Sequence, residues 1–183
     1  MACASPVAPL CGKHVQGAQF EYADSLGAQH IRLLDLKYGK QDENVQFSIQ
    51  KYPLSAAPDY IALSYTWGNT KDTVPVLCEG KTIFITRSLR EALLHLRDRR
   101  KALVRHTLPN RSVTRPLYLW VDAICIRQSD TKEKSYQVGR MALIYQQACK
   151  VIVWLGPADK SSDTTMDYVN TLGAKAEACG LDR

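Results

Sequence analysis

The sequence predicts an α/β fold in which helices flank a parallel or mixed β-sheet, with a β-hairpin added near the N-terminal half. Two apolar runs, residues 117–126 and 151–156, have the near-continuous hydrophobicity of strands covered on both faces. A helical pattern separates them, and strand, helix, strand with short connections is typical of a right-handed βαβ unit. A turn signal at Glu79-Gly80, inside the run VPVLCEGKTIFIT, indicates the hairpin.

The N-terminal half predicts three further strands. Residues 1–28 are rich in Ala, Gly and Pro without periodicity, and we expect a loose extension there. Residues 31–36 and 45–50 are predicted as two short strands around a polar turn. Residues 60–65 form an apolar strand that ends at a Trp-Gly-Asn sequence. The core domain is expected to cover residues 29–160.

N-capping residues and the helical spacing of apolar residues predict the helices. Ser88 and Glu91 match a capping box, and one buried face follows from the helical spacing of Leu89, Ala92, Leu93 and Leu96. Asp130 is expected to cap a second helix, with Glu133 at its third position. The buried stripe of that helix is predicted to contain Val138, Met141, Ala142, Tyr145 and Ala148. Residues 161–183 are expected to be a partial C-terminal helical segment, with the helix over about 164–178, of a truncated domain.

Composition narrows the class of protein. The chain has 183 residues with 45% hydrophobic and 23% charged residues, which is typical of a globular domain. Its longest apolar runs are far shorter than the roughly 20 residues of a membrane helix, and the N-terminus lacks the pattern of a secretory signal. The six cysteines are too scattered for a zinc site or a disulfide framework, and no metal is expected. These features predict a cytoplasmic protein, with Cys78, Cys125 and Cys149 as small core residues.

The net charge of +6 raises the question of an anionic partner. Much of this charge lies between Arg97 and Arg115, a stretch that we interpret as a solvated loop. Aromatic residues do not alternate with the basic ones there, as they do in many nucleic-acid platforms. A nucleic-acid partner is therefore not expected.

Three sequence blocks carry a resemblance to a known family. The first is YIALSYTWG at residues 60–68, and the second is GKTIFITRSLREAL at residues 80–93. The third begins with LWVDAICI at residue 119, ends with VWLG at residue 156, and includes between them Gln128, Glu133, Gln137, Met141, Ile144, Tyr145 and Ala148. In order and spacing these blocks make the chain similar to the fungal heterokaryon-incompatibility (HET) domain over about residues 31–157. Arg127 and Ser88 depart from the family pattern, where Asn is common.

The resemblance implies a fold and a role. HET domains are similar to Toll/interleukin-receptor (TIR) domains, which implies a flavodoxin-like arrangement of strands and helices. It also implies a role in fungal self/non-self recognition, innate immunity and programmed cell death, downstream of recognition proteins such as NLR-like receptors. Two mechanisms remain open: a non-catalytic adaptor that self-associates, or an enzyme that cleaves NAD, as some TIR domains do. No cofactor is required in either case, and NAD would be the substrate.

Candidate site residues follow from the ends of two predicted strands. Ligands of open parallel sheets bind beyond the carboxyl ends of the strands, where this sequence places Ser64, Tyr65, Trp67 and Gly68 after one strand and Gln128 after another. Asp122, inside the second strand, is a further candidate for ligand binding. In NAD cleavage the nicotinamide leaves as a neutral molecule, so one carboxylate that stabilises the oxocarbenium-like transition state suffices. Glu133 is the candidate for this catalytic carboxylate.

Structural interpretations of the same residues stay open. A glutamate three residues after Asp130 is also where a capping box places a purely structural carboxylate. Asp122, in an apolar run, is expected to pair with an arginine or to bond to Ser64, because an unpaired buried carboxylate is costly. Ser64 has no adjacent histidine, and His30 and His95 complete no triad, so a serine hydrolase is disfavoured.

Overall fold

Seven strands form one sheet in the computed structural model, which describes residues 18–40, 43–107, 116–157 and 160–178. In chain order they are β1 (His30–Leu36), β2 (Gln46–Pro53), β3 (Ile61–Tyr65), β4 (Thr73–Cys78), β5 (Lys81–Thr86), β6 (Leu117–Trp120) and β7 (Lys150–Trp154). Their order across the sheet is β5-β4-β2-β1-β6-β3-β7. The sheet is mixed, because β3 runs parallel to β6 and β7 whereas β1 runs antiparallel to β2 and β6.

Helices connect and cover these strands. They are α1 (Arg87–Asp98), α2 (Arg100–Thr107), α3 (Asp122–Cys125), α4 (Thr131–Gly139), α5 (Met141–Gln147) and α6 (Lys160–Ala178), and a short 3-10 turn occupies Leu54–Ala56. The predicted α/β class with helices around a mixed sheet is therefore confirmed, as is the hairpin. The hairpin turn places Glu79 and Gly80 at φ 52° and 77°, the left-handed conformation that a two-residue turn of this kind requires.

The hydrophobic core lies around the central strand β1 and the inner face of α1. Six of the seven residues of β1 are buried. The predicted face of α1 is confirmed, since Leu89, Ala92, Leu93 and Leu96 are all buried. Each of the three leucine side chains contributes about 1.5–3 kcal/mol when it leaves water, so this face fixes α1 on the sheet.

The start of α1 differs from the prediction. The residue that caps it is Thr86, whose Oγ1 accepts a hydrogen bond from the N–H of Leu89. Ser88 already lies in the first turn, and its hydroxyl donates to the carbonyl of Thr66. The predicted capping box is wrong because α1 follows β5 without a connecting residue, so the helix begins before the serine.

The apolar run 117–126 is not one strand. It forms β6 only as far as Trp120, and Asp122–Cys125 then makes the four-residue helix α3. Asp122 Oδ1 accepts a hydrogen bond from the N–H of Ala123, which favours this helical turn. Hydrophobic periodicity does not distinguish a buried strand from a buried helical turn, which explains the error.

The helix after Asp130 is divided in two at Arg140, between α4 and α5. Its predicted buried stripe is only partly correct. Ile144 is buried and Met141 and Tyr145 pack against the core, but Val138 and Ala142 are exposed. The buried side chains of α4 are Glu133 and Gln137, so a polar face of this helix points inward.

The C-terminal part of the described chain is more exposed than predicted. β7 is an edge strand, and Val151 and Val153 are exposed although the apolar run predicted a strand covered on both faces. Cys149 is exposed as well, whereas Cys78 and Cys125 are buried as expected. The predicted C-terminal helix is present as α6 and exposes its apolar residues Met166, Tyr168, Val169 and Leu172.

The basic stretch 97–115 is not simply a solvated loop. Its first part is helical, and Arg97 and Arg100 are buried, with guanidinium groups that donate to backbone carbonyls of Lys40, Glu43 and Leu36. Residues 108–115 of this stretch lie outside the described residues, as do residues 1–17 of the predicted extension. Among the helices that the structure describes, none has the length and apolar character needed to span a membrane.

Candidate functional site

Glu133 and Arg32 form the most deeply buried ion pair of the described residues. Glu133 lies in the first turn of α4, and Arg32 lies near the start of β1. The Nη1 of Arg32 is 2.5 Å from Oε1 of Glu133, and its Nη2 is 3.2 Å from Oε2. The side chain of Glu133 is shielded from solvent, since the residue is 1% exposed. The pair is thus bidentate, the strongest geometry of an arginine and a carboxylate.

Backbone groups complete the coordination of the Glu133 carboxylate. The N–H of Arg127 donates to Oε1 at 2.7 Å, and the N–H of Leu26 donates to Oε2 at 2.8 Å. Burial alone would raise the pKa of this carboxyl, but the hydrogen bonds from Arg32 and the two N–H groups outweigh it and hold the pKa below its usual value. Glu133 is therefore an ionised anchor with each oxygen bonded at least twice.

Residues 18–28 cover this ion pair, and we call them the strap. The Tyr22 hydroxyl donates to the carbonyl of Ile124 at 2.7 Å, and the Tyr22 ring lies 4.7 Å from the guanidinium carbon of Arg32. Arg32 also donates to the carbonyl of Asp24. At the far end of the strap, the N–H of Phe20 donates to the carbonyl of Thr82 in β5. This part of the predicted loose extension is tied to the domain by both side-chain and backbone contacts.

The cap of α4 uses Asp130 as the sequence predicted. Asp130 Oδ1 accepts from the N–H of Glu133 at 2.9 Å. The reciprocal half of a capping box is not formed, because the Glu133 carboxylate turns toward Arg32, Arg127 and Leu26. The two interpretations of Glu133 from sequence, cap and catalyst, thus both overlooked its partner on β1.

A second cluster lies where β3 and β6 end. These strands are parallel, so the residues after them meet at one edge of the sheet. The indole N–H of Trp67 donates to Asp122 Oδ2 at 3.0 Å, and the Gln128 side-chain amide donates to the backbone carbonyl of Asp122 at 2.9 Å. The structure therefore brings three of the predicted binding residues together. Asp122 pairs with an indole rather than with the arginine or Ser64 that we expected.

The pKa of Asp122 is shifted in the opposite direction to the pKa of Glu133. Burial raises the pKa of Asp122, and the hydrogen bonds from Trp67 and Ala123 only partly oppose the rise. Asp122 is also half-buried rather than fully buried. A partly accessible carboxylate with a raised pKa is the kind of group that functional sites contain.

The other predicted binding residues surround this cluster without all joining it. Burial raises the pKa of Tyr65 well above its usual value, with the nearby Asp122 charge adding to the rise. Beside Ser64, the carbonyl of Leu63 accepts a hydrogen bond from the hydroxyl of Tyr145 in α5 at 3.3 Å. Gly68 turns the chain after β3 with φ 67°, the left-handed region that glycine adopts readily. Gly68 thus has a structural role of its own as a turn residue.

Two cavities are open to solvent elsewhere. One of about 150 Å³ lies between the strap and the sheet and is lined by Tyr22, Asp24, Arg32, Ile49 and Lys51, among others. The other, of about 510 Å³, is lined by Tyr38, Gly39, Arg97, Asp98, Arg100 and Lys101. Neither is lined by Trp67 or Asp122. Across the described ranges, no three His, Cys, Asp or Glu side chains gather in a way that would hold a metal ion.

Sequence reasoning missed Arg32, Tyr22 and Leu26. Arg32 sits among aliphatic residues in the run IRLLDL, where a charged residue in a buried strand signals a buried partner. That signal was available. Tyr22 and Leu26 lie in a stretch without periodicity, and their contacts are more than 100 residues away in sequence.

Comparison with known proteins identifies the family. The model of the family described as heterokaryon incompatibility protein (HET) matches residues 60–179. The chain belongs to the HET family. It is 39% identical over 153 residues to heterokaryon incompatibility protein 6, OR allele, of Neurospora crassa, an alignment that covers 79% of this chain and 21% of that protein. No solved structure matches the chain.

Some residues of the two clusters lie inside the range that the family model matches, and others lie before it. Trp67, Asp122, Gln128 and Glu133 lie inside the matched range. Arg32 and the strap precede it, although they supply the principal donors of Glu133. The chain spans about a fifth of the length of the curated relative.

Proposed function

We propose that this HET domain acts in heterokaryon incompatibility, as a cytoplasmic signalling domain of self/non-self recognition and programmed cell death. Its family membership and its similarity to a protein named for heterokaryon incompatibility support the role. Upstream recognition proteins, NLR-like receptors among them, would bring copies of the domain together. The proposal concerns the domain, because the relative contains much more sequence than this chain covers.

The state of Glu133 favours signalling by association over catalysis at that residue. Both of its oxygens already accept hydrogen bonds from Arg32 and from backbone N–H groups, and the residue is buried. A carboxylate that stabilises an oxocarbenium-like centre has to face the substrate with a free lone pair. The occupied oxygens of Glu133 are the observation that carries the proposal. In this proposal Glu133 holds the domain together, and the domain works as a self-associating adaptor.

An exposed edge of the sheet supports self-association. β7 pairs with β3 on one side only, and no other strand of the described chain lies beyond it. Val151 and Val153 alternate along it and are 42% and 59% exposed, and Leu155, directly after its last residue, is 77% exposed. Exposed apolar edge strands are surfaces on which other chains add, unless charge or proline protects them.

A second candidate, NAD cleavage of the TIR-like type, is supported by the Asp122 cluster. Asp122 lies beyond the carboxyl ends of parallel strands, is partly accessible and has a raised pKa. An ionised carboxylate there would stabilise positive charge on the ribose as the neutral nicotinamide departs, and the Trp67 ring would offer a stacking surface. In this candidate Asp122 is the reacting carboxylate, and Glu133 is not.

One experiment distinguishes the two candidates. The chain is fused to an inducible dimerisation module, expressed in fungal cells, and followed by growth arrest and by cellular NAD. The adaptor account predicts growth arrest at unchanged NAD, retained by Asp122→Asn and lost by Val153→Lys. A fall in NAD that precedes arrest and disappears in Asp122→Asn would establish the enzymatic candidate instead. Val138→Lys, a charge added at another exposed valine, is the control for Val153→Lys.

A further inference from the structure

The strap closes one side of the Arg32–Glu133 pair at Ser25 and Leu26. The Leu26 side chain is 4% exposed, and its N–H is one of the donors to Glu133 Oε2. The neighbouring Ser25 is exposed at the surface of the domain. The strap therefore has a buried residue that makes the contact and, beside it, a residue that solvent and other proteins can reach.

The Ser25 hydroxyl lies between two carboxylates. Its Oγ is 2.8 Å from Asp130 Oδ2, to which it donates, and 3.5 Å from Glu133 Oε2. Carboxylates accept hydrogen bonds and do not donate them when ionised. This position therefore suits a neutral group with a hydrogen to donate, whereas an anion there would face two carboxylates.

We propose that Ser25 is a phosphorylation site, and that its modification releases the strap from Glu133. A protein kinase would transfer the terminal phosphoryl group of a nucleoside triphosphate to Ser25 Oγ. The O–H bond of the serine breaks, an O–P bond forms, and the proton and a nucleoside diphosphate leave. Ser25 is exposed, so the kinase meets this residue at the surface of the folded domain.

The charge change explains the release. A phosphoserine carries about −1.5 to −2 charges near pH 7 and its ester oxygen has no hydrogen to donate to Asp130. Of the N–H groups at the start of α4, that of Glu133 already donates to Asp130 and does not reach the phosphate. Repulsion from Asp130 and Glu133 moves residue 25 outward, and the backbone of Leu26 is attached to it.

Release changes what the surface presents. Glu133 loses the N–H of Leu26 but keeps Arg32 and the N–H of Arg127, so the ion pair itself survives. The Leu26 side chain, buried in the unmodified chain, becomes exposed. The strap is thus a phosphorylation-controlled cover. This inference does not depend on whether the domain signals by association or by catalysis.

Hydrogen exchange of the Leu26 amide tests the release. The full chain is compared with a form that carries genetically encoded phosphoserine at position 25, with Ser25→Glu, and with Ser135→Glu as the control for a negative charge at an exposed serine of α4. Phosphoserine is expected to speed this exchange by about tenfold or more, the effect of losing one charge-assisted hydrogen bond on an opening equilibrium. Ser25→Glu should act in the same direction, and Ser135→Glu should not. Exchange in the phosphoserine form within about twofold of the unmodified chain, a change well below that tenfold, would overturn the proposal.

Phosphopeptide mass spectrometry tests the modification itself. The chain is isolated from fungal cells before and during an incompatibility reaction, and the peptide that contains Ser25 is quantified. Phosphate on Ser25 in either state supports the assignment. Unmodified Ser25 at full peptide coverage in both states would contradict it, whatever the exchange data show.

Discussion

Arg32 and Glu133 are separated by 101 residues in the chain, yet their side chains meet at 2.5 Å in the interior of the domain. The pair joins the central strand β1 to the first turn of α4, and the strap closes over it. A buried charge that loses its partner is costly, whereas an exposed ion pair contributes little. The pair therefore makes the stability of the domain depend on a residue that sequence alone suggested as a catalyst.

Removal of either partner should destabilise the domain strongly. Glu133→Ala leaves Arg32 buried without its carboxylate and leaves two N–H groups without acceptors. We expect a loss of about 3–5 kcal/mol in the free energy of unfolding, measured by urea denaturation of the purified chain. Asp72→Asn is the control, since Asp72 pairs with Arg87 on the exposed surface and its loss should change the free energy of unfolding little. Similar losses in both variants would contradict the assignment.

The same pair should give the stability a defined pH dependence. The folded pKa of Glu133 lies below its ordinary value of 4.5, so the unfolded chain takes up this proton first as the pH falls. Glu133 thus contributes stability above about pH 4.5, and this contribution disappears as the pH falls toward the lower folded pKa. Urea denaturation between neutral and acidic pH should show the gap between wild type and Glu133→Gln closing on the acid side. A gap that widens there would refute the assignment.

The hydrogen bond between Trp67 and Asp122 predicts a change in the pKa of Asp122. Trp67→Phe removes the indole N–H that stabilises the ionised carboxylate, so the already raised pKa of Asp122 should rise further. Carbon-detected NMR titration of the aspartate carboxyl groups measures this shift. Trp154→Phe is the matched control, because the indole N–H of Trp154 has no hydrogen-bond partner among the described residues. An unchanged Asp122 titration in Trp67→Phe would remove the hydrogen bond from the account.

The hairpin turn makes a further prediction about stability. Gly80 has φ 77°, where an added Cβ is strained, so Gly80→Ala should cost about 1–2 kcal/mol. Gly139 ends α4 with open space around it and without a positive φ, so Gly139→Ala should stabilise the chain by about 0.4–1 kcal/mol. Thermal unfolding of the two variants gives the comparison, and a stabilising Gly80→Ala would show that the turn has another conformation.

Local signals predicted the parts of the fold that depend on local chemistry. The hairpin at Glu79-Gly80, the buried face of α1 and the cap at Asp130 each follow from a few neighbouring residues. The errors occurred where distant contacts decide. Periodicity could not show that the run ending at Ile126 turns into α3 after Trp120, or that β7 lies at an edge of the sheet and exposes its two valines.

The candidate site shows the same division. Spacing and strand ends placed Trp67, Asp122 and Gln128 near one another, and the structure has them in contact. The environment of Glu133 could not be predicted, because Arg32 and Leu26 come from segments more than 100 residues earlier. A glutamate at this position fits both a cap and a catalyst. Its partners decide between the two roles, and the tertiary fold determines which partners it meets.

The activity of Glu133→Gln per folded molecule tests the central claim most directly. Glutamine keeps one acceptor oxygen and nearly the same volume, so part of the population should fold at reduced temperature. Growth arrest in fungal cells that express the variant is divided by its folded fraction, measured by pulse proteolysis. We predict wild-type activity per folded molecule, because Glu133 acts by holding the domain together. A folded population that is fully inactive would contradict this and return Glu133 to the chemistry of the site.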